Sequence, residues 1–305
     1  MANMLKDKVV LITGAGGGIG REMALLAGKE GAKVVVNDLG GAVDGEGSGS
    51  ATPAQKVCDE IKAAGGHAVP NADSVTDPAG AERMIKTAVE NFGRIDGVIN
   101  NAGILRDRIF HRMSHVDWKM VIDVHLNGAF NVSRAAANYF KEQKSGAFVH
   151  MTSTSGLIGN FGQANYMAAK LGIHGLSRGI ALDMARHNVR SNCISPFAWT
   201  RMTDSVPTDT PEGQARAART RQMTAEKIAP MAVYLGSDKA DGISGQIIGV
   251  RKNELILFSQ PRPIRILHRS DGWTPETIDK QFKSALKASF VPLERSQHVF
   301  SWDPV

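Results

Sequence analysis

One stretch near the start narrows the fold more than any other. The apolar run Val9, Val10, Leu11, Ile12 within Lys8 to Thr13 passes directly into T-G-A-G-G-G-I-G at positions 13–20. A helix-forming segment, Arg21 to Glu30, and a second apolar run, Lys33 to Val36, follow. A strand, glycine turn, helix and strand in this order form the unit of sheets covered by helices. Gly14 permits the sharp turn, the run to Gly18 lets backbone approach a pyrophosphate, and Gly20 lets helix and strand pack closely. The helix N-terminus then offers unpaired N–H groups and a partial positive charge to phosphates. Flexible loops are also glycine-rich, but the strand-to-helix context favours a dinucleotide site, with Thr13, Gly14, Gly18, Ile19 and Gly20 as its candidates.

Asp38 ends the second strand, about 20 residues past the glycines, where a carboxylate can accept hydrogen bonds from the ribose hydroxyls of NAD. It would repel a 2′-phosphate, and the turn holds no Lys or Arg to offset that, so NAD is expected rather than NADP. The competing reading of Asp38 is a turn former before Gly40 and Gly41.

Further along, strand and helix patterns keep alternating. Gly40 to Thr52, with five glycines and two serines, reads as a surface loop. A helix (Pro53 to Ala64) and a third strand (Ala68 to Asn71) lead to Asp73-Ser74; a helix over Pro78 to Phe92 leads to the strand Gly97 to Asn100, which runs into N-N-A-G. There Asn100 and Asn101 can bond backbone and cofactor, while Ala102 and Gly103 leave room for a ribose. A long helix is expected over Val116 to Lys144, a fifth strand before Ser153, a sixth over Val189 to Ile194 ending at Pro196, a helix capped by Thr224 and reaching Leu235, and a seventh strand over Gln246 to Val250. Such alternation predicts an α/β fold: one doubly wound parallel sheet of about seven strands with helices on both faces. Ligands of such sheets bind beyond the carboxyl ends of the strands, where Gly14, Asp38, Asp73, Asn100, Ser153 and Pro196 all fall. Residues 1–250 form the predicted catalytic domain, with no internal repeat or linker. Residues 251–305 form a C-terminal extension: an extended part broken at Pro261 and Pro263, then a helix opened by Thr274-Pro275 with Ile278, Phe282, Ala285 and Leu286 on one face up to Phe290. The extension carries nine Lys or Arg against six Asp or Glu, and is read as packing on the body or on a partner subunit, with contact to substrate phosphates as the lesser alternative.

Bulk properties exclude several classes. The chain has 305 residues, enough for a substantial core. No stretch approaches the roughly 20 apolar residues that span a bilayer. Met1 to Lys8 lacks the features of a secretion signal, so a cytoplasmic protein is expected. Cys58 and Cys193 are the only cysteines, too few for a disulfide scaffold and without metal-ligand spacing, so no metal is expected. The net charge of +6 is dispersed and not interleaved with aromatics, which argues against nucleic acid as a partner.

Chemistry is concentrated between Ser153 and Lys170. Tyr166 and Lys170 are four residues apart in a segment of helical composition, so both fall on one face. A phenol titrates near ~10 and is a poor base unless its anion is stabilised; an ammonium at about 4 Å is expected to lower it by roughly two or three units. Ser153, 13 residues before Tyr166, stands at the tip of an apolar strand where its hydroxyl can meet a reacting oxygen. Tyr-x-x-x-Lys alone also occurs by chance in many helices.

T-G-x-x-x-G-x-G, N-N-A-G, Ser153 with Tyr166-x-x-x-Lys170, and Pro196 match, in order and spacing, the short-chain dehydrogenase/reductase family, which the chain resembles over about residues 6–250. Within it, V-V-V-N-D-L-G-G, N-N-A-G-I-L-R-D-R and G-N-F-G-Q-A-N-Y-M-A-A-K are most similar to the (3R)-hydroxyacyl-CoA dehydrogenase branch of the peroxisomal multifunctional enzymes, and to bacterial relatives acting on steroid side-chain CoA thioesters. The resemblance implies a Rossmann-type sheet, with Tyr166 as acid/base, Lys170 as its partner and a ribose ligand, and Ser153 holding the substrate oxygen. It implies cofactor contacts from Asp73, Ser74, Asn100, Ala102, Gly103, Tyr166, Lys170, Pro196, Ala198, Trp199 and Thr200, with the backbone after Pro196 holding the carboxamide of NAD. Many members carry a catalytic asparagine in the preceding helix; here His125, not Asn127, aligns there, as a substituted proton relay or as a packed histidine. Pro196-Phe197 departs from the usual Pro-Gly. The function expected is NAD-dependent interconversion of a secondary alcohol and a ketone on a 3-hydroxyacyl-CoA or steroid side-chain CoA thioester, in a homodimer or homotetramer. The alternatives are a 17β-hydroxysteroid dehydrogenase of free steroids, the difference lying in the lid Arg201 to Arg221, and a non-catalytic NAD-binding regulator.

Overall fold

The computed structural model describes residues 3–41, 44–45, 52–198, 210, 214–215, 218 and 221–304. Eight strands form one sheet: β1 (Val9–Thr13), β2 (Lys33–Asn37), β3 (His67–Asn71), β4 (Gly97–Asn100), β5 (Gly146–Met151), β6 (Val189–Phe197), β7 (Ile247–Arg251) and β8 (Glu254–Leu257). Their spatial order is β3-β2-β1-β4-β5-β6-β7-β8. The first seven run parallel, in registers such as Leu11 beside Val35 and Val98 beside Phe148. β1, β4 and β5 are buried at every residue, which is why they read as unbroken apolar runs rather than alternating ones.

The sheet has one strand more than expected, and that strand is antiparallel. Lys252 and Asn253 alone separate β7 from β8, with Lys252 at φ 55°, and so short a connection permits only a hairpin. Leu255 and Leu257 are exposed on this edge, so no buried run marked the strand in the sequence. The extension assigned to residues 251–305 therefore starts by completing the sheet.

Helices cover both faces: α1 (Gly18–Lys29), α2 (Thr52–Ala63), α3 (Pro78–Phe92), α4 (His115–Ile122), α5 (Gly128–Gln143), the single turn α6 (Thr154–Leu157), α7 (Ala164–Met184) and α8 (Ala229–Gly236), with α9 (Pro275–Leu286) and the turn α10 (Ser296–Val299) in the extension. Ile12, Met23, Val36 and Ile228 belong to the core on one face, and Leu11, Ile85, Phe140 and Phe148 to that on the other. Each such side chain contributes about 1.5–3 kcal/mol of burial. The range expected for α3 is the range found. Asp77 caps it by accepting from the N–H groups of Ala79 and Gly80 at 3.0 Å, Pro78 occupies the first turn, and Gly93 closes it at φ 82°.

Two other helices differ from expectation. The long helix over 116–144 is three pieces: α4, a π-type turn over Asp123–Asn127, and α5. Thr224 makes no side-chain cap; it precedes a 3-10 turn at Ala225–Lys227, and the helix proper begins at Ala229. Strand order reverses direction between β1 and β4, which opens a crevice at their carboxyl ends.

Candidate active site

β5 delivers its last residues to that edge and α7 returns past them. Thr152 donates from Oγ1 to the Lys170 carbonyl at 2.7 Å, which ties strand end to helix. Ser153, in extended conformation, caps α6 by accepting from the Ser155 N–H at 3.1 Å, and its hydroxyl is near enough to the Tyr166 phenol to favour the phenolate. Lys170 lies one helical turn beyond Tyr166. It is buried, donates from Nζ to the Met151 carbonyl at 2.6 Å, and stands 5.5 Å from the Tyr166 ring centroid. The three side chains are thus brought together.

The electrostatics of the pair differ from the expectation. Burial pushes the phenol up to about 12, the nearby Ser153 hydroxyl opposes that, and the charge of Asp107 adds to the rise. Burial also brings the Lys170 ammonium down to about 7. The anticipated lowering of Tyr166 by Lys170 is absent because Lys170, itself brought down to about 7, is neutral where the phenol ionises, which leaves desolvation as the largest influence on the phenol.

The π-type turn carries His125 inward, where it is 2% exposed. Its Nε2 meets the Ile104 N–H at 3.1 Å and the Ile104 carbonyl at 2.8 Å, and its ring stands edge-on to Tyr166 at 5.2 Å. Nδ1 is buried without a hydrogen-bond partner among the described residues. Desolvation and the nearby Lys170 charge hold His125 neutral, well below its usual range. A β-carbon on Gly103 would lie 2.3 Å from His125 Cε1, so the glycine of N-N-A-G is the floor on which this imidazole rests. His150, on β5, is also buried, its Nδ1 3.2 Å from Asn100 Nδ2.

Beside this triad lies a cavity of about 450 Å³ whose lining includes Gly14, Gly18, Ile19, Asp38, Asp73, Ser74, Ala102 and Gly103. The volume is that of an ordinary cofactor or ligand cleft. Three features fit a nicotinamide dinucleotide. A β-carbon at Gly14 would come within 2.8 Å of Ala102 Cα, and one at Gly20 within 2.1 Å of the Gly14 carbonyl, so only glycine permits this wall. No side chain caps the 12-residue helix α1 at Gly17, which leaves its leading N–H groups for an anion. Asp38 accepts from the Gly16 N–H at 2.8 Å and the Gly40 N–H at 2.7 Å, so one carboxylate both braces the glycine turn and presents charge to the cavity.

Other expected residues serve as supports. Thr13 is buried and accepts at Oγ1 from the N–H groups of Asn101 and Ala102 at 3.0 and 3.1 Å, fixing N-N-A-G to the end of β1. Asn101 donates back to the carbonyls of Thr13 and Gly14, both at 3.0 Å. Asn100 points behind the cavity to Ser133 Oγ at 2.9 Å. Asp73 is engaged by Arg83 and by Asn71 Nδ2. Pro196 and Ala198 stand at and just past the end of β6. Trp199 and Thr200, and most of the expected lid 201–221, lie outside the described residues.

Sequence reasoning passed over a bridge on the opposite side. Asp107 Oδ2 accepts from Gln163 Nε2 at 2.7 Å, and Gln163 Oε1 accepts from Ser155 Oγ at 2.9 Å. Asn165, buried, donates to the carbonyls of Arg106 and Asp117 at 3.0 and 3.1 Å. Gln163 and Asn165 stand in the G-Q-A-N-Y run before the tyrosine, and their amides were the available signal; Asp107 lies in the N-N-A-G-I-L-R-D-R stretch, which suggested no role for it. The extension also reaches this end of the sheet. Ser296 N–H donates to the Gly159 carbonyl at 3.0 Å, Arg295 lies over Phe161, and Phe300 packs on Phe197 with ring centroids 4.8 Å apart.

Known proteins show the same organisation. The short chain dehydrogenase family matches residues 8–211. A short-chain type dehydrogenase/reductase of Mycobacterium tuberculosis is 50% identical over 247 residues, 80% of this chain and 83% of its own length. The mouse peroxisomal multifunctional enzyme type 2 is 47% identical over 281 residues, covering 91% of this chain but only 37% of the mouse protein, so the chain spans little more than a third of that relative. The crystal structure of a short chain dehydrogenase from Mycobacterium avium superposes with a TM-score of 0.83 at 37% identity, over 96% of this chain and 99% of that one. With its glycine turn, its serine, tyrosine and lysine set and these matches, the chain belongs to the short-chain dehydrogenase family of oxidoreductases.

Proposed function

We propose that this oxidoreductase uses NAD to interconvert a secondary alcohol and a ketone on a 3-hydroxyacyl-CoA or a steroid side-chain CoA thioester. The observation that carries the reading is the convergence of Ser153, Tyr166 and Lys170 beside a glycine-walled cavity bearing Asp38. NAD, when bound, supplies the hydride acceptor. Ser153 donates a hydrogen bond to the substrate oxygen and Tyr166 exchanges the hydroxyl proton with it. Lys170, held by the Met151 carbonyl beside the phenol ring, is placed to bind the ribose of the cofactor. Gly14, Gly18 and Gly20 shape the pyrophosphate seat, and Ala102 and Gly103 the ribose floor. Asp38 selects an unphosphorylated ribose, because a 2′-phosphate would meet its charge. His125, resting on Gly103 and edge-on to Tyr166, holds the tyrosine ring in place. The assembly is a homodimer or homotetramer in the cytoplasm.

The test is NADH formation from a 3-hydroxyacyl-CoA, the matching free hydroxy acid and a free 17β-hydroxysteroid, each with NAD and with NADP. The thioester with NAD is expected to give the highest kcat/KM by at least about tenfold. A preference for the free steroid would replace the substrate assignment, and a preference for NADP would overturn the role of Asp38.

A further inference from the structure

Past the end of β2 the chain meets the dinucleotide cavity again at Gly45, which lines it along with Asp38, Leu39, Ile104 and Met120. Gly45 has φ 83°, a conformation that favours glycine, and a β-carbon there would lie 3.1 Å from Ile104 Cδ1 and 3.2 Å from Met120 Cε. Residues 44 and 45 thus reach from the β2 wall of the cavity to the wall built by Ile104 and the α4 residue Met120. Arg106 holds them there: its Nε donates to the Asp44 carbonyl at 2.8 Å. Arg106 is fixed in turn from two sides. Its Nη1 pairs with Asp117 Oδ1 at 3.3 Å, and Asp117 is pinned at the start of α4, its Oδ2 accepting from Ser114 Oγ at 2.7 Å. The Arg106 carbonyl accepts from Asn165 Nδ2 at 3.0 Å. Only 14% of the Arg106 side chain and 18% of that of Asp117 are exposed, so solvent screens this arrangement weakly.

We propose that Arg106 is a positioning residue for the cofactor: by holding Asp44 and Gly45 across the cavity it slows the escape of the bound dinucleotide and so sets its residence time. The inference rests on the reading of this cavity as the NAD seat. The glycine turn bounds the seat on one side and N-N-A-G on another, and Gly45 covers it from a third. Arg106 is not among the residues lining the cavity, so its removal leaves the cofactor's direct contacts in place and frees only the segment that covers them. The planar guanidinium suits the task, because its N–H groups point in fixed directions and serve the Asp44 carbonyl and the Asp117 carboxylate together. Asn165, next to Tyr166, binds the backbone carbonyl of Arg106, which a side-chain substitution keeps. The effect therefore falls on the cofactor's departure and not on its arrival.

The experiment is stopped-flow fluorescence of NADH binding to, and displacement from, the full-length wild type and Arg106→Met, which keeps the apolar stem and loses the donors. The dissociation rate constant is expected to rise about tenfold, the fold-change of one lost hydrogen bond to a charged group, while the association rate constant stays within about threefold. A merely structural role would move the two differently, a loosened fold slowing association. A dissociation rate that rises less than threefold, or a loss of affinity carried by association alone, overturns the proposal. Gly45→Ala approaches the same contact from the other side: its methyl would press on Ile104 and Met120 with Arg106 intact, and it is expected to speed dissociation as well. Should Arg106→Met fail to fold, this variant decides on the same readout, and an unchanged rate overturns the proposal. Failure of every alcohol to give NADH would overturn the substrate reading alone, because release is measured without turnover, whereas a wild type that binds no NADH overturns both.

Discussion

Lys170 is the residue on which the site's energetics turn, because a buried ammonium is costly and this one has a carbonyl, not a carboxylate, as its partner. Its pKa of about 7 in the folded protein, against 10.5 for the ordinary group, has a consequence for stability. Between those values the unfolded chain binds a proton that the folded chain does not, so folding becomes more favourable as pH rises from about 7 to 10.5. Replacing Lys170 with Met removes that dependence. Urea unfolding without cofactor at several pH values is expected to show the wild type gaining on K170M by up to about 1.4 kcal/mol per pH unit in this window; parallel profiles would refute the assignment. Tyr166 carries the opposite lesson. A phenol pushed up to about 12 rests as an acid, so ketone reduction should gain as pH falls and alcohol oxidation should gain from pH 7 towards 10. Initial rates in both directions measure this, and an oxidation rate that falls with pH would contradict it. The sequence showed which residues meet here, because helical spacing and strand ends are read from local pattern. The order of their pKa values was not legible, since desolvation depends on what the rest of the fold packs around them.

At the level of elements, the glycine turn and the π-type turn are the two devices that shape the cleft. Gly20 and Gly103 make distinct predictions. Gly20→Ala would bring a methyl within 2.1 Å of the Gly14 carbonyl, forcing α1 away from β1; NAD binding measured by fluorescence should weaken at least about tenfold, with a loss of about 1–3 kcal/mol in stability. Gly103→Ala would press on His125 Cε1, so its effect should fall on kcat through the displaced Tyr166 more than on affinity for NAD. Equal losses in both would argue that Gly103 serves only the cofactor. Most elements were legible: α3 and β4 fall at their expected ends, because a cap, a proline and a glycine mark the helix and an apolar run marks the strand. The π-type turn was not, since inserting one residue into a helical ladder leaves the apolar period nearly intact. The eighth strand escaped for the same kind of reason, an exposed edge lacking the buried run that identifies its neighbours.

For the whole molecule, the extension is the open element. Its helix α9 has no buried residue, and Ile278, Phe282, Phe290 and Leu293 are exposed, so the apolar face expected to pack on the body does not do so within the described residues. Monomeric surfaces rarely carry large apolar patches. The chain of 32.7 kDa is therefore expected to elute in light scattering at two or four times that mass, and Ile278→Ser with Phe282→Ser to shift it toward smaller species; a monomeric wild type would refute this. Family-wide features of the cleft could be seen in the sequence because they are short and contiguous, whereas the aromatic contact of Phe300 with Phe197 joins residues about a hundred positions apart and left no local trace. The central claim remains that Tyr166 exchanges the substrate proton beside bound NAD. Its most direct test is the Tyr166→Phe variant, assayed for NADH formation from a 3-hydroxyacyl-CoA and for NAD binding in parallel. The account predicts a fall in kcat of at least about a thousandfold with NAD affinity kept within about threefold, and activity surviving within tenfold of the wild type would contradict it.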